Sequence, residues 1–434
     1  REKSFHENET IKMRLQRIMI TLVILGLCSS TSKPLWAWGK GHRLIRIWAV
    51  ARLPEWQKEL IGKENLDRLC QDYTSLQDKH AGGKAPELDP YCLVPGVRLS
   101  LHDVNPPEKS VVAIQWYLDQ IAVHLQAGKT DEAMKFLGVL CHWNEDPGCP
   151  SAHSSPVSEL QLKTLLPPPK DKARFNYLFG AGGIMDTGNY QLKEIDYTPR
   201  LLGRTKAEAA LRIYEHQKLL RRNAATHIVP IVQDMMHGDG KQADQHRAAA
   251  AVANGRHTAD VIYTAICLAT DRVDDQVFQF QQQSLTEWMP NFNGRMIPHP
   301  YYVSPFLVNQ AMDAKRQLHP LKIGETEYDT GYGMGTPFEL EFVLAPGTVF
   351  HHFTCEVGLH PTAGENGSVI FVIEANGEEL ARTASVRIGE SAVNLKVPLP
   401  QSEVLKLTLK TIAVEGSESS NNLVVWGNPT LHAR

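Results

Sequence analysis

Neither charge sign dominates this 434-residue chain: 48 acidic residues stand against 45 basic ones, a formal net charge of -3. That balance provides no electrostatic case for a nucleic-acid or anionic-membrane partner, although a single-stranded substrate gripped locally stays open. Cysteine is sparse too. Seven occur, and setting aside Cys28 leaves six, too few in so long a chain for a disulfide framework. Cys70 with Cys92 and Cys141 with Cys149 are the favoured pairs, each residue having an alternative as a buried small hydrophobe. Long apolar runs are missing: "IMITLVILGLC" (Ile18 to Cys28) falls short of the roughly 20 residues that a span requires. There is no Ser-His-Asp motif, phosphate-binding glycine loop or nucleotide fingerprint, which leaves those chemistries without a sequence signal.

The apolar run reads instead as an export signal. Met13 is the expected start, Arg14 and Arg17 supply the positive flank, and "LWA" before Trp38 is a small-residue cleavage site. Cutting after Ala37 makes Trp38 the first residue of a secreted or periplasmic protein. An uncleaved membrane anchor is the alternative. Lipidation at Cys28 is weaker, because a bulky Leu27 precedes it.

From Trp38 to about Thr270 the periodicity is helical. "GHRLIRIWAVARL" places Leu44, Ile47, Trp48 and Ala51 on one face. "VVAIQWYLDQIAVHL" and "DEAMKFLGVLCHW" repeat the spacing, and two longer helices follow. Between Gln276 and about Pro320 the pattern dissolves into Gln, Pro, Asn and aromatics. Afterwards come short alternating runs, "FELEFVL", "SVIFVIEANGEEL", "SAVNLKVPL" and "VLKLTLKTIAV", with "ANGEE" as a hairpin signal. The expectation is an all-α domain over 38–275, a linker over 276–320 and an all-β, jelly-roll-like sandwich over 321–434. Residues 1–37 are the upstream stretch and signal peptide.

The densest chemistry is "FLGVLCHWNEDPGCPSAH". His142 and Asp146 are four apart on a helix and project from one face; the helix breaks at Pro147, and His153 follows. Imidazole nitrogen and carboxylate oxygen at that spacing suit zinc. His42, Asp78 in "SLQDKH" and His102 in "LSLHDVNPP" precede them. Singly, each also reads as a surface residue or a satisfied core histidine.

At these residues the chain resembles the superfamily of zinc-dependent phospholipases C and fungal single-strand-specific nucleases. The resemblance runs from about Trp38 to His153. It implies that "WGKGH" provides Trp38 and His42 as zinc ligands, Trp38 through its own amine and carbonyl. It further implies Asp78, also as the catalytic carboxylate, with His102, His142, Asp146 bridging two metals, and His153. Asp89 competes with Asp78. The superfamily's second His-x-x-x-acid motif is not found in the helical region; His216, His227, His246 and His257 with Asp260 are the remaining candidates there. Two zinc ions are therefore expected, with the third open. Two such ions about 4 Å apart would activate a water in line with a phosphorus.

From about Leu321, "IGETEYDTGYGMGTPFELEFVLAPGTVFHHFTCEVGLHP", "GSVIFVIEANGEEL" and the closing "VVWGNPTL" resemble NPCBM, the carbohydrate-binding module of glycoside hydrolase family 98. Thr336 stands where that family often has a histidine. The resemblance implies sugar binding, with Tyr332, His351, His352 and Trp426 as available rings, Trp426 reading equally well as a core residue. No pair of carboxylates marks a glycosidase. The expected protein is a secreted, monomeric zinc phosphoesterase cleaving a phospholipid or single-stranded nucleic-acid phosphodiester and tethered to polysaccharide. The alternative is a non-catalytic exported carbohydrate-binding protein with a degenerate metal site.

Overall fold

A computed structural model describes residues 38, 40–150, 190–193, 196–273, 281–290, 306–313, 315–344, 350–402, 404–417 and 422–433. The expected signal segment, and with it His153, lie outside these residues.

Among the described residues, nine α-helices belong to the first part. Five are short: α1 (Gly41–Ala51), α2 (Glu55–Ile61), α3 (Lys63–Gln71), α4 (Leu76–His80) and α5 (Asp89–Cys92). Four are long: α6 (Pro107–Gln126), α7 (Thr130–Glu145), α8 (Lys206–His237) and α9 (Lys241–Ala269). The apolar spacing dictates what each buries. In α6, Ala113, Ile114, Tyr117, Leu118 and Ile121 face the core, while Val112 and Val123 lie outside it. Helix α7 is the central rod, buried from Phe136 to Glu145. It stops where Asp146-Pro147-Gly148 turns into a short 3-10 segment, because proline cannot continue the helical hydrogen bonding. Gly148 is required there: a Cβ would sit 2.2 Å from the Asn254 amide. Helix α8 starts on a capping contact, the Thr205 hydroxyl accepting from the Glu208 amide.

The second part is all-β and antiparallel. Its first sheet runs in the order Val393–Pro398, Phe350–Leu359, Val424–Ala433, Gly331–Met334, Phe306–Val308, and Gln282–Ser284 pairs with the Val424–Ala433 strand. The other runs Glu378–Arg382, Ser368–Ala375, Leu405–Ala413, Phe338–Leu344, with Val386–Arg387 added at Ser368 and Val369. Alternating residues fill the space between them: Leu340, Phe342, Leu407 and Leu409 from one sheet and Phe353, Cys355 and Val357 from the other. Phe371 and Trp426 meet edge to face at 5.2 Å. The helix-then-sheet order expected from periodicity is thus the order observed. Two strands of the first sheet, Gln282–Ser284 and Phe306–Val308, come from the stretch read as a linker.

One expectation is corrected. Cys70, Cys92, Cys141 and Cys355 are buried free thiols, so neither expected disulfide forms. They act as small apolar side chains, and burial pushes the Cys70 thiol up to about 11 and that of Cys92 up to about 12.

Candidate metal centre

The site is assembled on the C-terminal end of α7, to which three chain segments are pinned. The Trp38 indole donates to the Glu145 carbonyl at 2.7 Å and holds the start of α1. Gln77 donates to the Val139 carbonyl at 2.8 Å and holds α4, which carries Asp78. The Trp143 indole donates to the Asp103 carbonyl at 2.9 Å and holds the loop that carries His102. Sites far apart in sequence converge because each segment spends a polar group on the same rod.

Asp146 lies at the centre, fully buried. Its Oδ2 is 2.7 Å from His102 Nδ1 and 3.3 Å from His142 Nε2. Its Oδ1 faces His42 Nε2 at 3.4 Å and has no hydrogen-bond partner. The two oxygens thus address different histidines. His142 Nδ1 contacts the Thr74 carbonyl at 2.5 Å. A carbonyl only accepts, so Nδ1 carries the proton and Nε2 is the nitrogen turned towards Asp146 and, at 3.8 Å, towards Asp78 Oδ1. The His42 and His142 rings stack at 4.0 Å.

Electrostatics follow from this crowding. Burial pushes the Asp146 carboxyl up, but the His142 charge and contacts from His102, His142 and His42 outweigh it and hold the group well below the usual carboxylate range. Burial likewise disfavours the charged form of His42, yet Asp146 and Glu145 bring it to about 9.

Among the described residues, two groups of donor atoms each gather within 4.8 Å: His42, His142 and Asp146, and Asp78, His102 and His142. Nitrogen and carboxylate oxygen suit a borderline divalent cation such as zinc. The orphaned Asp146 Oδ1 fits that reading, since a buried carboxylate oxygen without a partner is costly. Trp38 sits fully buried beside this cluster, and its carbonyl accepts from the Gly41 amide at 2.6 Å.

Other nominated residues lie elsewhere. Asp89 contacts His80 at 2.7 Å and belongs to neither donor group. His216 pairs with His257, and His227 with His246, in the seam between α8 and α9. In the sandwich, Tyr332 is corrected and Trp426 takes its alternative place in the core: both are fully buried, and the Tyr332 hydroxyl donates to the Leu285 carbonyl, so neither ring presents a face to solvent. His351 is exposed and His352 half-buried, stacked on His432 at 4.0 Å.

Sequence reading missed Glu145 and Arg46, both fully buried beside the donors. A signal existed: Arg46 lies one turn after His42, on the buried face of α1.

Residues 299–432 match the NPCBM/NEW2 domain, so the chain carries that domain at its C-terminal end. Among solved structures, the CBM51 module of a Clostridium perfringens GH95 protein in complex with methyl-galactose is 17% identical with a TM-score of 0.23, over 29% of this chain and 80% of that one. Tandem CBM51 modules of a family 98 glycoside hydrolase from Streptococcus pneumoniae are 16% identical with a TM-score of 0.27, over 35% of this chain and 46% of that one. The alpha-toxin of an avian strain of Clostridium perfringens is 12% identical with a TM-score of 0.32, over 91% of this chain and 98% of that one. No curated protein matches the chain.

Proposed function

We propose that the helical part is a zinc-dependent phosphoesterase that hydrolyses a phosphodiester, in a phospholipid or in single-stranded nucleic acid, and that the β-sandwich tethers it to polysaccharide. The observation that carries this reading is Asp146, buried, with one carboxylate oxygen towards His102 and His142 and the other unpartnered towards His42. A carboxylate so placed can serve two cations at once. His42 with Asp146 would hold one, Asp78 with His102 would border the other, and His142, which has only Nε2 to offer, would serve one of the two. His153 and the freed amine of Trp38 complete the proposed ligand set.

Bound zinc supplies a water of lowered pKa and neutralises charge on the phosphoryl oxygens. The protein's own residues do the rest. The Thr74 carbonyl fixes the tautomer of His142, so its Nε2 lone pair is turned inward. Asp78, with a side chain only 10% exposed, is placed to accept the proton of an attacking water as the catalytic carboxylate.

The proposed organisation is a helical domain over 38–275, a connection over 276–320 and a sandwich over 321–434, in a monomeric, exported protein that begins at Trp38. Among the described residues no helix is long and apolar enough to cross a membrane. In the sandwich, His351 and His352 are the proposed sugar-facing rings.

Elemental analysis of the protein beginning at Trp38, beside Asp146→Asn, tests this reading. Two or three zinc ions per chain that fall in the variant, together with hydrolysis of a phosphodiester panel, are expected. No zinc in either protein would overturn it and leave polysaccharide binding as the function.

A further inference from the structure

We infer that Glu145 is a positioning residue for the N-terminal half of this metal site, an inference that rests on the zinc reading above. Glu145 is the last residue of α7 and precedes the central carboxylate, Asp146. Such a position at a helix end usually faces solvent, yet this side chain is fully buried. Both carboxylate oxygens are committed. Oε2 lies 2.6 Å from His42 Nδ1, and Oε1 accepts from Arg46 Nε at 3.1 Å and from the Thr258 hydroxyl at 3.4 Å.

The consequence for His42 is specific. An ionised carboxylate only accepts, so Nδ1 of His42 carries the proton. The other nitrogen, Nε2, is the one turned towards the unpartnered Asp146 Oδ1. Glu145 therefore selects which imidazole nitrogen faces the cation and sets the plane of the ring. Its main-chain carbonyl does a second task by accepting from the Trp38 indole. One residue thereby fixes both Trp38 and His42.

Arg46 makes the carboxylate rigid. Its Nη atoms donate to the carbonyls of Leu69, Tyr73 and Gly138 at 2.8 to 3.1 Å, so the guanidinium is bolted to α3, the turn after it and α7. Were Glu145 present only to neutralise Arg46, Oε1 alone would suffice; the close contact of Oε2 with His42 is what assigns the further role. Carboxylate partners of ligating histidines typically change metal affinity by about 10- to 100-fold when removed.

The test uses cadmium as a probe in the full chain. Spectra of bound ¹¹³Cd and chelator competition are recorded for the wild type, Glu145→Gln, His42→Ala and the double variant Glu145→Gln with Arg46→Met, which removes both buried charges together. The expected result is that Glu145→Gln weakens one cadmium by about 10- to 100-fold and moves the resonance that His42→Ala abolishes, leaving the other in place. If Glu145→Gln does not fold, the double variant is expected to show the same selective loss. Wild-type affinities and spectra in whichever variant folds would overturn the inference while sparing the zinc reading. A wild type that binds no cadmium would overturn both.

Discussion

His227 of α8 and His246 of α9 meet Nδ1 to Nδ1 at 2.9 Å, and His216 and His257 repeat the contact at 3.3 Å about three turns along the same antiparallel pair. Their tautomers follow from the outer partners. His246 Nε2 is 3.0 Å from the Arg316 carbonyl, so it donates there and leaves Nδ1 to accept from His227. His257 Nε2 donates to Asn144 Oδ1, whose amide is oriented by its own donation to the Leu140 carbonyl. Each contact works only with neutral rings.

Acid should therefore loosen this seam. Burial lowers His246 to about 4 and His216 to about 3. Because the folded values lie below the ordinary 6.5, the unfolded chain takes up protons first as pH falls. Their contribution is complete above pH 6.5 and is lost progressively between 6.5 and about 4 for His246, and about 3 for His216. Denaturant unfolding at pH 7.5 and pH 5 should show the loss. His246→Asn should have a shallower pH slope, and an unchanged slope would refute the assignment.

Glu287 is one of the polar contacts between the helical and β parts: the Arg200 guanidinium contacts its Oε1, and Arg212 its Oε2 at 3.1 Å. Glu287→Gln should cost about 1–2 kcal/mol, since charged hydrogen bonds are weakened at partly exposed partners. Thermal unfolding reads this directly. A shift within error of zero would mean that the Glu287 contacts add nothing to the junction.

Gly41, the first residue of α1, lies directly against the Trp38 ring. A Cβ there would lie 2.6 Å from Trp38 Cε3, inside van der Waals contact. Gly41→Ala should destabilise the protein by about 1–3 kcal/mol and, on the proposed zinc reading, lower bound zinc by displacing the indole from the Glu145 carbonyl. Elemental analysis and a melting curve on the same sample check both. Full zinc in a fully stable variant would show that Trp38 can move without consequence.

Trp426 and Tyr332 should affect stability and not sugar recognition. Trp426→Ala is expected to cost about 3–5 kcal/mol as a core truncation. Tyr332→Phe should cost about 1 kcal/mol through its bond to the Leu285 carbonyl. Retention of folded Tyr332→Phe on a polysaccharide column should match the wild type. Selective loss of retention would place the binding face at that ring after all.

Much of this was legible in the sequence, for reasons particular to each segment. Three-and-four spacing in α6 and α7, and alternation in Phe338–Leu344 and Leu405–Ala413, announce elements because each buries one face locally. His142 and Asp146 were readable for the same reason: a helix turn sets their separation. The Tyr332 ring was misread because its short strand, Gly331–Met334, is buried on both faces, so no alternation marks a ring as inward or outward; Trp426 took the core place that its sequence left open. The cysteines were misread because spacing along the chain carries no information about Sγ approach in space.

The amino-acid order by itself thus determined the helix-then-sheet architecture, the turn that halts α7 at Pro147 and the local pairing of His142 with Asp146. Those depend on backbone geometry over a few residues. Only the tertiary structure decided that Trp38 and His42 reach Glu145 and Asp146, that Arg46 bolts Glu145 in place, and that four other histidines pair off between α8 and α9. These contacts join residues across turns, helices and loops, and they exist because buried polar groups must find partners wherever packing brings them together.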